Sequence, residues 1–302
     1  MGGIDAAMRF EPLPCDQAAR GARVAAALSV LSLVPFGAAA SLPVSGATFF
    51  LVLCGLAIGI AAAHVAYRTL LCRTLTYWVD RNAITITWLG GRYVAPLPTI
   101  AQIVVGADDQ GPGPWWTWPA PYLADLRGGP EQRVISLATR PLPEQILLVT
   151  TAGVVGVSPT QAEAFVQALQ ERYRLGPTQF LRPGHQRAFI TAWAIWDDPL
   201  SRGLLAAGLA GALALFGWLS FAYPALPAQV ALHYNFQGEV DRIGPRAGLL
   251  ALPVIGLLTW TANTLFGSLV HRQQRFGAYL LWVGTLVVQV LAAIALAGLL
   301  RG

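Results

Sequence analysis

Charge is what this chain has least of. Asp, Glu, Lys and Arg make up 12% of its 302 residues, about half the share of an ordinary soluble domain. Lysine is missing altogether, so all 20 basic residues are Arg. No single function would exclude one cation everywhere, so the bias is read as one of coding. Cysteine is nearly absent. Cys15, Cys54 and Cys72 are odd in number and unclustered, which argues against a disulfide framework or a zinc site. Catalytic signatures are missing too. No GxSxG elbow, HExxH, P-loop, CxxC or dinucleotide fingerprint occurs, and the chain is expected to be no enzyme and to need no cofactor.

The charge deficit is uneven. Five windows, about Val24–Leu42, Ala47–Tyr67, Gly203–Ala222, Gly248–Leu269 and Gly277–Leu300, hold no Asp, Glu, Lys or Arg in their interiors. Each has the roughly 20 apolar residues that a helix needs to cross the hydrocarbon core. Buried helices of a soluble protein would show polar faces, which these windows lack. The first window has a second reading. Arg20 and Arg23 precede an apolar run ending in Ala38-Ala39-Ala40, a signal-peptide-like pattern that would leave the downstream topology unchanged.

Arginine placement orients the spans. With the N-terminus in the cytoplasm, Arg9, Arg20, Arg23, Arg68, Arg73, Arg187, Arg202, Arg272 and Arg275 fall inside, and only Arg242, Arg246 and Arg301 fall outside. The middle of the chain is then cytoplasmic, the loop from Tyr223 to Arg246 faces outward, and the C-terminus is external in the cell membrane. The net charge of +5 does not point to nucleic acid, because residues 74–178 hold seven Arg against eight acids. No span carries an ionisable group at its centre, which ion-coupled transporters use for their relays. Asn263 and Pro253 interrupt the fourth span and are expected to serve packing or a kink. His64, His185 and His271 are read as interfacial or surface groups without a special role.

From Thr74 the hydrophobic period changes to two. Leu75, Tyr77 and Val79 alternate with Thr76 and Trp78, and Ile84, Ile86 and Trp88 with Thr85 and Thr87, before Gly90-Gly91 reverses the chain. Consecutive hairpins follow from this pattern. Further strands are expected near Arg92–Leu97, Ile100–Val105, Arg133–Thr139, Gln145–Thr151 and Val154–Val157. A helix then begins, with Ser158 as cap, Pro159 in the first turn and Gln161 completing a capping box. The insert Asp108–Pro130 carries Trp115, Trp116, Trp118 and Tyr122. These aromatics either meet the headgroup zone or fold over the open end of the sheet. Phe189, Trp193 and Trp196 within Gln186–Trp196 suggest a short helix on the membrane surface. Asp198-Pro199 reads as cap and first turn of the third span.

This order of about seven strands and a closing helix resembles the pleckstrin-homology superfold, and the segment resembles bacterial PH-like domains found beside membrane hairpins. The first hairpin offers only Asp80, Arg81 and Arg92, a poor phosphate cradle, so protein contact or spacing is the expected role.

The most informative segment reads Leu226-Pro227, then Ala231-Leu232-His233-Tyr234-Asn235-Phe236-Gln237-Gly238-Glu239-Val240-Asp241-Arg242, then Gly244, Arg246 and Pro253. It resembles a bacterial membrane-domain family, number 1648 among the domains of unknown function, whose pattern is Pro, His-x-Asn, Gly, Asp-Arg, a basic residue and a later Pro. The resemblance runs through the third to fifth spans. Arg246 stands where Lys is commoner, which keeps the charge. Some relatives are multi-span proteins that confer immunity to a secreted toxin and signal its presence, and that role is what the resemblance implies. From the residues alone, His233, Asn235, Asp241, Arg242 and Arg246 form a polar loop around a turn at Gly238. Asp241 and Arg246 either cap the fourth helix or pair with each other. A structural cap, a recognition site and a metal site stay open.

The expected fold is an α-helical transmembrane bundle of about five spans with an inserted α+β PH-like β-barrel domain. Residues 1–73 form the tail and first hairpin, 74–178 the cytoplasmic domain, and 179–302 an interfacial helix and three spans. The expected function is a non-enzymatic sensor, immunity or scaffold protein. Its partners would be the lipid bilayer, an extracellular factor and a cytoplasmic protein, with no nucleic acid. A small transporter or membrane-embedded enzyme is the alternative.

Overall fold

The structure is a computed structural model and describes residues 7–108, 111–127, 133–179, 181, 184–187, 195, 198–235, 237 and 239–301. It divides into two units, Met1–Val30 with Ile58–Ala192, and Leu31–Ala57 with Trp193–Gly302. The described helices are α1 Ala18–Ser41, α2 Gly46–Thr74, α3 Ala162–Leu175, α4 Pro199–Ala222, α5 Ala251–His271 and α6 Arg275–Arg301. All but α3 are long and apolar enough to cross a membrane, and at most 28% of any apolar window is buried within the protein. Val30, Ile60, Leu258 and Ile294 stay exposed on them. Water does not tolerate apolar surface on that scale, whereas a bilayer core requires it. The chain is a multi-pass membrane protein.

In the first unit two sheets stack around one core. The strands are β1 Met8–Phe10, β2 Thr76–Val79, β3 Ala83–Trp88, β4 Gly91–Pro96, β5 Ile100–Val105, β6 Leu123–Arg127, β7 Arg133–Leu137, β8 Ile146–Thr150, β9 Gly153–Val157 and β10 Gly184–Arg187. One sheet has the order β1-β2-β3-β4-β10 and the other β5-β8-β9-β7-β6. Every neighbouring pair is antiparallel except β7 with β9. Both sheets are open. The alternation seen in the sequence sends Tyr77, Val79, Ile84 and Ile86 inward, where they meet Leu148, Val155, Val157 and Phe165. Tyr77 is fully buried, and its hydroxyl donates to Leu137 O and accepts from Ser158 N. Burial pushes its pKa up to about 12, so it stays a neutral donor.

Several expectations are corrected here. Ser158 does not cap α3. Its hydroxyl accepts from Thr139 N in the core, and the helix starts at Ala162 with no side-chain cap. The aromatic insert contains a strand, β6, which among the described residues pairs only with β7. Gln186 and Arg187, at the start of the expected surface helix, belong to β10, which pairs with β4, while Phe189, Trp193 and Trp196 lie outside the described residues. Cys15 and Cys72 are bonded, with Cα atoms 6.3 Å apart, although 57 residues separate them. Spacing along the chain gave no sign of the pair because the fold, not a local motif, brings them together.

In the second unit α4, α5 and α6 pack side by side. Lipid gives no hydrophobic drive for helices to associate, so close packing and interhelical hydrogen bonds must do it. Gln289 of α6, missed as an interruption of its span, donates from Nε2 to Gly208 O on α4 at 2.7 Å. Asn263 of α5 donates to Leu281 O and Thr285 Oγ1 of α6, the packing role expected of it. Trp260 and Trp282 donate indole N–H groups to Leu205 O and Asn263 O. Pro253 falls in the first turn of α5, where its missing N–H costs nothing, so no kink is needed to explain it.

Gly211 lets α4 approach this amide, since a Cβ there would strike Gln289 Oε1. Gly211→Ala should therefore destabilise the folded protein by about 1–3 kcal/mol, the usual cost of overpacking. Thermal unfolding in detergent checks this, and an unchanged midpoint would show that Gln289 can step aside.

Candidate functional site

Between α4 and α5 the chain forms a β-hairpin, not a bare loop. Strand β11 runs Gln229–Tyr234 and β12 runs Val240–Pro245. The register slips on either side of His233, a bulge that re-aims a side chain. His233 Nδ1 thereby lies 2.7 Å from Asp241 Oδ1. A ring nitrogen facing a carboxylate donates, which fixes the tautomer.

The neighbours of this pair build the hairpin. Asn235 Oδ1 accepts from Gln237 N and Glu239 N, and its Nδ2 donates to Glu239 Oε2. That is an Asx turn, in which the side chain replaces missing backbone partners. Arg246 donates to Tyr223 O and Leu226 O, and its guanidinium sits 4.7 Å from the Tyr223 ring centre. It satisfies carbonyls beyond the end of α4 and locks the hairpin base. Leu232 packs against Gly244 and Gly248, where a Cβ would crowd it. Val230, Tyr223, Leu249, Leu215 and Leu219 form the core beneath.

The residues singled out by the sequence thus divide. Asn235 and Arg246 are structural. His233, Asp241 and Arg242 project from the hairpin, with the His233 and Asp241 side chains 65% and 44% exposed. Gly238 lies outside the described residues. Asp241 does not cap α5, the fourth span, which has Leu250 at its N-cap position and no side-chain cap. Nor does it pair with Arg246. A short 3-10 turn, Arg246–Leu250, leads into α5 instead. No cluster of three or more metal-binding side chains occurs among the described residues.

Residues 210–257 match the family model of DUF1648, a domain of unknown function. The match begins in α4, takes in the whole hairpin and ends early in α5. It stops short of α6, so it is narrower than the three spans expected. No curated protein and no solved structure matches the chain.

A second polar cluster closes the other end of the same three helices, and beyond Asp198 no local motif announces it. Asp198 caps α4 by accepting from Leu200 N, as expected. Its Oδ2 also accepts from Ser201 Oγ and Tyr279 OH, both at 2.6 Å. His271 Nε2 lies 3.2 Å from Asp198 Oδ2 and from Ser201 Oγ. His271 is buried, not the surface group expected, and its ring stacks on Trp282. Four residues on three helices meet here, which no local spacing could disclose. The set is not a hydrolytic triad. Such a triad uses one imidazole nitrogen for the nucleophile and the other for the carboxylate. Here both partners share Nε2, and Nδ1 has none.

The hydroxyls of Ser201 and Tyr279 hold the Asp198 carboxyl well below the usual carboxylate range. A lowered folded-state pKa contributes stability above the unfolded value, and that stability is lost only as pH falls through the lowered one. Asp198→Asn keeps a capping oxygen but loses the charge. It should melt earlier than wild type at neutral pH in detergent. The gap should persist as pH drops to about 4, near the ordinary carboxylate value, and close only below it. Melting curves across that series check the sign, and a gap that closes on the alkaline side would refute it.

Proposed function

We propose that this protein is a membrane-embedded recognition protein of the sensor, immunity or scaffold type, with His233, Asp241 and Arg242 as its contact surface. One observation carries this reading. The hairpin is braced by Asn235 and Arg246, whereas the His233–Asp241 pair is exposed and holds up nothing beneath it. An exposed ion pair contributes about 0–1 kcal/mol to stability, so stability is a poor reason for building one on a rigid hairpin. Ile243, 69% exposed beside it, adds apolar contact area of the kind interfaces use. The resemblance to immunity and sensing proteins agrees with this reading.

The first unit serves as the second contact module in this proposal. Its order of hairpins, second sheet and closing α3 supports the PH-like comparison. Arg81, the one Arg in the first turn, donates to Gly176 O and Leu175 O at the end of α3. That engagement favours protein contact over phosphate binding.

A photo-crosslinking residue at Ile243 tests the surface in intact cells. A discrete adduct should form and should disappear in His233→Ala and Asp241→Ala, with abundance nearly unchanged. No adduct, or a fall in abundance for Asp241→Ala alone, would make the pair structural.

Orientation in this proposal rests on the Arg distribution, which favours a cytoplasmic first unit. The Cys15–Cys72 bond favours the inverse, because disulfides persist mainly in oxidising compartments. Reporters fused after Thr178 and after Gly238 separate the two. A cytoplasmic signal for the first and an external signal for the second supports the proposal, and the reverse puts the hairpin in the cytoplasm.

A further inference from the structure

The loop that carries Trp115 and Trp116 is tied to the end of a membrane helix. Arg68 of α2 donates from Nε to Thr117 O, and from Nη2 to Ala120 O and Leu123 O. One turn earlier, His64 Nε2 lies 2.7 Å from Trp116 O. Pro119 fits against Gly21 of α1, where a Cβ would strike its ring. Three carbonyls on one guanidinium, a histidine and a proline in a notch hold this loop to two apolar helices. The alternative, Trp side chains folded over the sheet, does not describe its tip. Trp115 is 85% exposed and Trp116 is 56% exposed, and their rings meet edge to face.

The level of these rings follows from the helix they are tied to. Helix α2 starts at Gly46, so His64 lies about 27 Å along it at 1.5 Å per residue. The hydrocarbon core is about 30 Å thick. His64 and Arg68 therefore straddle its edge. Arg20 and Arg23, both exposed, flank Gly21 on α1, and cations at the ends of spans sit among the lipid phosphates. Tyr67 is partly exposed on the next face of α2. Indole rings favour this zone because they are apolar in body and polar at one edge.

We infer that Trp115 and Trp116 insert into the headgroup zone of the bilayer and anchor the first unit to the lipid surface. The anchor is built by Arg68, which spends its donors on the loop's backbone and so fixes the indoles at the membrane's edge. The occupant of this surface is phospholipid, not protein.

The test uses full-length protein in phosphatidylcholine and phosphatidylglycerol nanodiscs. In a Cys54→Ala background, Trp115→Cys or Trp116→Cys is labelled with an environment-sensitive fluorophore without reduction, so that the Cys15–Cys72 pair stays closed. A headgroup nitroxide lipid should quench the label at least about twofold more than dissolved iodide, with blue-shifted emission. Because a bulky label perturbs the site, native indoles give a second reading. Trp115→Phe with Trp116→Phe should lower the fraction of tryptophan emission that the nitroxide lipid quenches, against the ten Trp of wild type. Strong iodide quenching without lipid quenching would place the loop in water. Quenching by neither would mean that protein covers it. Either result overturns the inference.

Discussion

A single amide in the middle of the C-terminal helix holds the arrangement on which the hairpin depends. Gln289 has no water to bond with at that depth, and an unpaired amide in hydrocarbon is costly. It finds Gly208 O on α4, and α4 comes close because Gly211 has no side chain to strike the amide, while Gly208 makes room for Trp260 of α5. Asn263 and the two indoles repeat the device between other pairs of helices. Aliphatic contact alone would let these helices slide and rotate. Directional bonds to backbone carbonyls fix both depth and rotation, and so fix where α4 ends and α5 begins.

The ends of this bundle are finished in different ways. At one end Asp198, Ser201, His271 and Tyr279 hydrogen-bond one another and stay largely out of solvent. At the other, Arg246 takes up loose carbonyls while the His233 and Asp241 side chains stay exposed. Both use charge, but one turns it inward and the other outward. That contrast separates an enclosed polar cluster from the exposed pair proposed as a contact surface, although each contains an Asp beside a His.

Much of the architecture was legible because it rests on composition and period. Helix existence follows from apolar length, and each window overlaps one long helix, although α1 starts earlier and α2 ends later than apolarity alone marks. The strands around Tyr77 and Ile84 follow from alternation. What escaped depends on distant partners. Strand β1 is three residues long and borrows its register from β2. The Ser158 box satisfied a local rule, but the core recruited its hydroxyl to hold Thr139 instead. The hairpin residues were found as a set, yet their roles were not. Asn235 and Arg246 have the same polar character as His233 and Asp241, and only the fold shows which ones are already engaged.

The Cys15–Cys72 bond makes a covalent ring of residues 15–72, and both N-terminal crossings lie within it. The signal-like Ala38-Ala39-Ala40 is inside that ring as well. A peptidase cutting there would open the circle without releasing anything. The severed first helix would stay tethered to the second through sulfur, so the first span remains part of the molecule whether or not its backbone is cut.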